Sequence, residues 1–179
     1  KYFPQVLSEP SSEIPLVTAD DDQLYPKYWL HLLFESSKRE PDVIHCFRAH
    51  VITFDLVGNL LPYLSWRRCL SNKPSYANFL TGVGGVIYPK KMQVALARYG
   101  TAFLAKCPRA DDIWLNFVAL KEGVKVRQIA PYPSRFYEIP GSRNGALAQV
   151  NNSGGGNDSQ LAATYTLQDL KFLRDYLKK

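Results

Sequence analysis

The feature that most constrains this fold is an apolar run that stops abruptly at three adjacent aspartates. Residues 13–19 carry mainly apolar and β-branched side chains, and Asp20, Asp21 and Asp22 follow them directly. A short run of this kind is typical of a buried strand. Three neighbouring carboxylates repel one another, so a cation or a helix dipole must offset their charge. The sequence therefore predicts a buried strand that ends in an acidic segment.

Helical and strand-like segments alternate along the rest of the chain. Apolar residues spaced three and four apart predict a helix that follows Pro26, and acidic residues open a second helix over 111–123. β-branched and aromatic residues predict strands over 43–54 and 124–130. Segments of both kinds favour a layered α/β or α+β domain. A length of 179 residues suits one domain with a sizeable core.

Two segments near the end of the chain have distinct compositions. Residues 150–159 are rich in Gly and Asn and are predicted to form a flexible loop. Residues 166–179 are amphipathic and predict a closing helix. The apolar face of that helix would consist of Leu167, Leu170, Leu173 and Leu177.

The charge of the chain favours anionic partners without choosing among them. Lys and Arg number 22 against 16 Asp and Glu, which gives a net charge of +6 at pH 7. The basic residues are spread out, so a solvated surface is the favoured interpretation. No zinc-finger, helix-turn-helix or aromatic RNA-binding signature is present, and nucleic acid is therefore not expected as a partner. No apolar stretch approaches the about 18 residues of a membrane-spanning helix.

The three cysteines indicate neither a disulfide framework nor a zinc site. Cys46, Cys69 and Cys107 are odd in number and show no Cys-x-x-Cys spacing. A reducing cytoplasm is therefore the expected location, and the first residues show no apolar region of the signal-peptide kind.

Two interpretations of the aspartates at 20–22 stay open. Hard cations such as Mg²⁺ or Mn²⁺ bind carboxylate oxygens and keep positions free for the phosphate oxygens of a substrate. Because alternate residues of a strand share a face, Asp20 and Asp22 are expected to reach one ion while Asp21 points elsewhere. The alternative is an acidic turn that caps the next helix. Three carboxylates after an apolar strand favour the metal.

A glycine-rich segment at residues 81–89 is the second candidate for chemistry. Its sequence, Thr-Gly-Val-Gly-Gly-Val-Ile-Tyr-Pro, allows the backbone to approach a ligand closely. It fits neither the Rossmann fingerprint nor a Walker loop. Tight packing of a glycine-rich strand explains it equally well.

The acidic pair Asp111 and Asp112 is the third candidate. Acidic residues in the first turn of a helix are ordinary because they offset the helix dipole, so a structural role is favoured for this pair taken alone. If the pair is functional, one carboxylate would act as a general base toward an attacking hydroxyl group. The histidines at 31, 45 and 50 are expected to be structural, and no covalent nucleophile is indicated.

Five segments stand in a characteristic order along the chain. They read VTADDDQLYPKYWLHLL, FRAH, FLTGVGGVIYP, ADDIWLNFVAL and GGGNDSQL. In this order they resemble a family of bacterial GT-A-fold glycosyltransferases from capsule and other surface-polysaccharide loci. The likeness extends from Lys1 to Leu161, and the triple Asp and the Thr-Gly-Val-Gly-Gly segment are its more specific parts. It implies an α/β fold of GT-A type, with a mixed sheet flanked by helices.

The resemblance implies a role for each candidate residue. Asp20 and Asp22 look like the Asp-x-Asp pair that holds Mn²⁺ or Mg²⁺ against the donor diphosphate. Asp112 looks like the catalytic carboxylate, with Asp111 as the alternative. The residues that would bind substrate are Asp21, Thr81, Gly84, Gly85, Asn157 and Asp158. Among these, the two glycines would let donor and acceptor sugar meet, and the Asn-Asp pair would close over the nucleotide.

The resemblance also implies the reaction, its partners and its place. A sugar would pass from a nucleotide-sugar donor to a glycan acceptor hydroxyl group, in the cytoplasm and peripherally at the inner membrane face. A GT-A domain normally begins with a nucleotide-recognising βαβ half, whereas 19 residues precede Asp20. Residues 1–179 are therefore expected to form one domain, the C-terminal metal- and acceptor-side part, with a sheet edge that favours homo-oligomers. The alternative is a non-catalytic carbohydrate- or nucleotide-binding module.

Overall fold

The computed structural model describes residues 1–134, 136–142 and 155–178 as a mixed α/β structure, which confirms the expected mixture of helices and strands. The helices are α1 (Phe3–Ser8), α2 (Trp29–Arg39), α3 (Lys90–Tyr99), α4 (Phe103–Lys106), α5 (Asp111–Lys121), α6 (Gly156–Thr164) and α7 (Leu167–Tyr176). The strands are β1 (Leu16–Thr18), β2 (Gln23–Leu24), β3 (Ile44–Cys46), β4 (Ala49–Val51), β5 (Arg67–Arg68), β6 (Asn78–Leu80), β7 (Val86–Tyr88), β8 (Val126–Gln128) and β9 (Tyr137–Glu138). Short 3₁₀ turns occupy Tyr63–Ser65 and Gly100–Ala102. None of the helices within these ranges combines the length and the apolar character needed to cross a bilayer.

Four strands form a mixed central sheet in the order β1-β7-β3-β8. Strand β7 runs antiparallel to both β1 and β3, whereas β3 and β8 run parallel. Every residue of β3 and β7 is buried, as expected for inner strands covered on both faces. Strand β1 lies at the edge of this sheet, and within the described residues it pairs on one side only.

A second, antiparallel sheet has the order β5-β4-β6. In its register His50 lies opposite both Arg68 and Phe79, and Val51 lies opposite Arg67. Residues directly opposite one another share a face, and successive residues alternate between faces. His50, Arg68 and Phe79 therefore lie on one face of this sheet, with Arg67 on the other. Strands β2 and β9 form a separate antiparallel pair.

Helix α5 is packed on every side, and its sequence explains why. Residues 113–119 of this helix are all buried and apolar apart from Asn116, so the apolar surface covers the whole circumference. The two aspartates in its first turn offset the helix dipole. Gly123, with φ +65°, follows the helix at the place where glycine commonly ends one. The helix predicted over 111–123 is confirmed.

The strand predicted over 43–54 is divided in two. Strands β3 and β4 belong to different sheets, and Phe47 and Arg48 connect them. The side chain of Phe47 is buried against the ring of Phe136, with 5.2 Å between the ring centroids. The aromatic contact of Phe47 therefore marks the point at which the chain passes from one sheet to the other.

Two predictions for the end of the chain need correction. Residues 156–159, which the sequence placed in a flexible loop, lie in helix α6, and residues 150–154 lie outside the described part. In helix α7 Leu173 is fully buried, but Leu167 is 87% exposed. Leu167 is the first residue of that helix and Leu177, which is also exposed, follows its last residue, so the buried part of the predicted apolar face is shorter than expected.

The main apolar core includes side chains from α1, α3, α5, α6 and α7, whereas Leu33 of α2 packs in a smaller cluster with Phe47 and Ile87. The three cysteines lie in this core as free thiols. Burial raises the pKa of each of them, Cys46, Cys69 and Cys107. The core thus holds its thiols in the neutral form.

Candidate functional site

A buried amide in the middle of helix α5 fixes this helix to strand β6. The side chain of Asn116 donates to the carbonyl of Leu80 (3.0 Å) and accepts from the N–H of Leu80 (2.9 Å). It also donates to the carbonyl of Asp112 at 2.7 Å. Oδ1 of Asp112 in turn accepts from the backbone N–H of Gly82 at 2.9 Å. The Asp112 carboxylate is therefore positioned against the glycine-rich segment.

The carboxyl group of Asp112 titrates near neutral pH. Burial and the charge of Asp111 raise the pKa of Asp112 to about 7, although the hydrogen bond from Gly82 acts in the opposite direction. A carboxylate with this pKa accepts a proton near pH 7, as a general base must. The arrangement therefore gives Asp112 a chemical capability beyond the capping of a helix.

Asp20 and Lys1 lie close to the same glycine. A Cβ atom placed on Gly82 would lie 3.0 Å from Oδ1 of Asp112 and 3.8 Å from Oδ1 of Asp20. The ammonium group of Lys1 forms an ion pair with Oδ1 of Asp20. Burial lowers the pKa of Lys1, but this ion pair and the charges of Asp111 and Asp112 raise it above its ordinary value. Three carboxylates thus act on one ammonium group.

The aspartates at 20–22 do not have the strand geometry that the sequence predicted. Strand β1 ends at Thr18, and Asp21 and Asp22 form a turn before β2. Alternation along a strand therefore does not place Asp20 and Asp22 on one face. The carbonyl of Asp22 accepts from the N–H of Ile139 (2.8 Å), which extends the pairing of β2 with β9. Asp21 is exposed on the turn.

The described residues include no group of three His, Cys, Asp or Glu side chains that could hold a metal ion. The oxygen donors of Asp20 and Asp112 nevertheless suit a hard cation. Mg²⁺ is commonly held by one or two carboxylates together with the phosphate oxygens of a substrate. The Lys1 ammonium group now supplies positive charge at Asp20, so a metal ion at this carboxylate would replace it.

The backbone and one aromatic ring account for the glycines at 84 and 85. Both residues have positive φ, +95° for Gly84 and +94° for Gly85. The indole N–H of Trp29 donates to the carbonyl of Gly84 at 2.6 Å. A Cβ atom on Gly85 would lie 2.3 Å from Cζ2 of Trp29. Tight packing, which the sequence left equally open, therefore explains Gly85.

Aromatic rings connect this loop to Asp20. Tyr25 packs between Trp29 and Phe136, with centroid distances of 4.5 Å and 5.4 Å. The hydroxyl oxygen of Tyr25 accepts from the backbone N–H of Asp20 at 2.8 Å. The glycine loop and the acidic group are thus parts of one packed arrangement.

Thr81 is bound to the backbone beside it. Its N–H and its hydroxyl group both donate to the carbonyl of Arg48, at 3.1 Å and 3.3 Å, and the residue is buried. The hydroxyl group that the resemblance assigns to substrate binding therefore stabilises the entry into the glycine loop.

Asn157 and Asp158 lie in the first turn of helix α6. The carboxylate of Asp158 accepts from the backbone N–H of Tyr63 at 2.7 Å, and Asn157 is buried. Burial raises the pKa of the Tyr63 phenol, and the charge of Asp112 raises it further. Tyr63 therefore connects this end of α6 with the site around Asp112.

The structure brings together part of the predicted set and adds residues that sequence reasoning missed. Asp20, Asp111 and Asp112 act on one another, whereas Asp21 and Asp22 belong to the turn. Lys1 could not be recognised as a site residue from the sequence, because a single charged side chain is typical of any solvated surface. Trp29 lies within a segment of the resemblance, but the sequence does not distinguish it from the other apolar residues of the predicted helix.

A cavity of about 380 Å³ lies along strand β1 and is lined by Lys1 and Ala19 at the end nearest Asp20. Its volume is within the range of pockets that hold small ligands. Comparison of the chain with protein-family models, with curated proteins and with solved structures gave no match. A function must therefore be inferred from this geometry and from the resemblance in sequence.

Proposed function

We propose that this chain is the metal- and acceptor-side part of a GT-A-type glycosyltransferase. In this proposal it transfers a sugar from a nucleotide-sugar donor to the hydroxyl group of a glycan, in the synthesis of bacterial surface polysaccharide. The observation that carries the proposal is Asp112, a carboxylate with a pKa of about 7 that is held by Gly82 at the head of a glycine-rich loop. Peripheral association with an anionic membrane face would agree with the net charge of +6.

Asp112 is the general base of the proposed reaction. It takes the proton of the acceptor hydroxyl group while that oxygen attacks the anomeric carbon of the donor sugar. The bond between the acceptor oxygen and the anomeric carbon forms, and the bond from that carbon to the diphosphate breaks. The nucleoside diphosphate leaves with the electron pair. Oδ1 of Asp112 is engaged by the Gly82 N–H, so Oδ2 is the oxygen that accepts the proton.

The remaining candidates orient the two substrates. A bound Mn²⁺ or Mg²⁺ would neutralise charge on the departing diphosphate. Asp20 would hold that ion because its carboxylate faces Gly82 beside Asp112, and Asp22 is the second ligand that the resemblance implies. Because Gly84 lacks a Cβ atom, the glycine loop can pack closely against the aromatic rings beside it.

A non-catalytic binding module is the second candidate function. It is favoured by the ion pair of Lys1 with Asp20, which already balances one of the carboxylates. It is also favoured by the Thr81 hydroxyl group, which is bound within the chain. Metal-dependent hydrolysis of a nucleotide-sugar separates the two, since a binding module would show none.

Calorimetric titration with Mn²⁺ and a panel of nucleoside diphosphates tests the proposal. Nucleotide binding should require Mn²⁺ and should be lost in Asp20→Ala and in Asp22→Ala. Asp42→Ala is the matched control, because Asp42 is exposed beyond the end of helix α2 and should behave like the unchanged chain. Equal binding in all three variants would remove the triple Asp from the metal site. If Mn²⁺ and nucleotides both fail to bind, the transferase proposal does not hold for this chain.

A further inference from the structure

A basic face consists of His50 and Arg68 on the three-stranded sheet and of Arg48 in the connection that enters strand β4. His50 and Arg68 are directly opposite in the register of β4 and β5 and so share a face. Burial lowers the pKa of His50, and the charges of Arg48 and Arg68 lower it further. Both guanidinium groups therefore lie close enough to act on the His50 ring.

Within the part of the chain that the structure describes, the two arginines of this face have no acidic partner. Neither Arg48 nor Arg68 forms an ion pair within the described residues. The residues outside the described part, 135, 143–154 and 179, include no Asp or Glu. Arg48 is half-buried, where an uncompensated charge is less favourable than in water. An anion from outside the chain would offset it.

Tyr63 connects this face to Asp112. Its ring packs on His50, with 5.8 Å between the centroids. Burial raises the pKa of the Tyr63 phenol, the charge of Asp112 raises it further, and the charge of Arg48 lowers it. The backbone also places Arg48 near Asp112, because the carbonyl of Arg48 accepts from the N–H of Thr81 at 3.1 Å and the next residue, Gly82, donates its N–H to Asp112 at 2.9 Å. Asp158, the other carboxylate at this place, is engaged by the N–H of Tyr63.

We propose that this basic face binds an acidic group, a phosphate or a carboxylate, carried by the sugar acceptor whose hydroxyl group reacts at Asp112. The inference rests on the proposed function and adds to it the substrate class, an anionic sugar. Arg48 and Arg68 donate charge-assisted hydrogen bonds to the acidic group. Because the donor diphosphate is assigned to Asp20, the face beside Tyr63 is left for the acceptor.

Titration of the ¹⁵N-labelled full chain with glucuronate tests this inference. The amide signals of His50, Thr81 and Gly82 should shift with glucuronate and should not shift with glucose, its neutral counterpart. Arg48→Gln and Arg68→Gln should each weaken the glucuronate response by about tenfold or more, as expected for the loss of a charge-assisted hydrogen bond. Inorganic phosphate should compete for the same signals.

Arg67→Gln is the matched control, because Arg67 is the neighbouring residue of strand β5 on the opposite face. It should leave the glucuronate response unchanged, and Arg68→Lys should keep most of it. Equal weakening in Arg67→Gln and Arg68→Gln would mean attraction to net charge only and would overturn the proposal. Arg68 is exposed, so its replacement tests the face even if Arg48→Gln fails to fold.

Uridine diphosphate separates the two sources of an acidic group. If it displaces glucuronate from these amides, and loses that ability in Arg68→Gln, the face belongs to the donor and the acceptor assignment is overturned. A glucuronate response that persists while Mn²⁺ and nucleotides fail to bind would leave the anion site standing and remove the transferase function. Nucleotide binding without any glucuronate response would overturn the anion site and leave the transferase proposal standing.

Discussion

Asp111 and Asp112 are adjacent in the first turn of one helix, yet their surroundings differ. Asp112 accepts a hydrogen bond from Gly82 and is fixed through its carbonyl by Asn116. Its neighbour supplies negative charge that makes deprotonation of Asp112 harder. In the proposed acid–base site Asp112 would be the carboxylate that accepts the proton, and the charge of Asp111 would help to raise its pKa.

Replacing Asp112 with Asn should abolish most of the proposed activity. Loss of a general base typically lowers the rate by about a hundredfold to ten-thousandfold. In the unchanged chain kcat/KM should rise with pH through about 7, because the deprotonated form of Asp112 is the active one. The measurement is a transfer or donor-hydrolysis assay across pH. A profile that is identical in Asp112→Asn would exclude Asp112 as the base.

Replacing Gly85 with Ala should destabilise the protein more than the same change at Gly141. Both glycines have similar positive φ, +94° and +88°, so each alanine adds backbone strain of about 1–3 kcal/mol. The added Cβ atom meets Trp29 at Gly85, whereas at Gly141 no atom of the described residues lies within 4 Å. Overpacking should add about 1 kcal/mol or more. Urea unfolding of both variants measures the difference, and equal losses would remove the Trp29 contact as its cause.

Among the elements, those specified by local signals could be predicted from the sequence. Helix α5 has acidic residues at its start, apolar residues along its length and Gly123 after its end, and all of these are visible in one short segment. Helix α6 has no apolar period. It is held by distant partners instead, such as the amide oxygen of Gln160, which accepts from the N–H of Arg109 at 2.9 Å. The pattern of neighbouring residues in the sequence does not predict such a contact.

The candidate site also contains both kinds of feature, some indicated by local sequence signals and others formed by contacts between distant residues. The acidic pair and the glycine segment were visible because their residue types are unusual at their spacing. The ion pair of Lys1 with Asp20, the hydrogen bond from Trp29 to Gly84, and the nearness of Arg48 to Tyr63 join positions far apart in the chain. Such pairings depend on tertiary packing, which periodicity and motif spacing do not encode.

Helix α7 begins with a reciprocal cap that should contribute measurably to its stability. The hydroxyl group of Thr166 accepts from the N–H of Asp169 (3.3 Å), and the Asp169 carboxylate accepts from the N–H of Thr166 (2.9 Å). Thr166→Ala should lower the free energy of unfolding by about 1 kcal/mol. Thr166→Ser keeps the hydroxyl group and should lose much less. Chemical denaturation compares the two, and equal losses would show that the hydroxyl group of Thr166 is not the cause.

For the molecule as a whole, Asp112 links stability to pH. Its pKa is about 7 in the folded chain, well above the ordinary value for Asp. The folded state therefore holds this proton more tightly, so the contribution of Asp112 to stability is greatest at low pH and is lost as pH rises toward 7. The net charge of +6 also changes over this range, so the effect must be isolated by comparison.

Asp112→Asn provides that comparison, because the amide does not titrate. The free energy of unfolding of the variant, measured relative to that of the unchanged chain, should increase as the pH rises from about 5 to about 8. The measurement is the free energy of unfolding in urea at both pH values. Parallel pH dependence of the two proteins would place the pKa of Asp112 near that of an ordinary carboxyl group.

Because Cys46, Cys69 and Cys107 are buried, their reactivity should report when the surrounding structure opens. Alkylating reagents react with thiolates, and these thiols are shielded from solvent and kept neutral by raised pKa values. Iodoacetamide can therefore label them only during excursions that expose the core. Because Cys46 belongs to the central sheet and Cys107 follows helix α4, mass spectrometry of the labelled peptides would time the opening of each region separately.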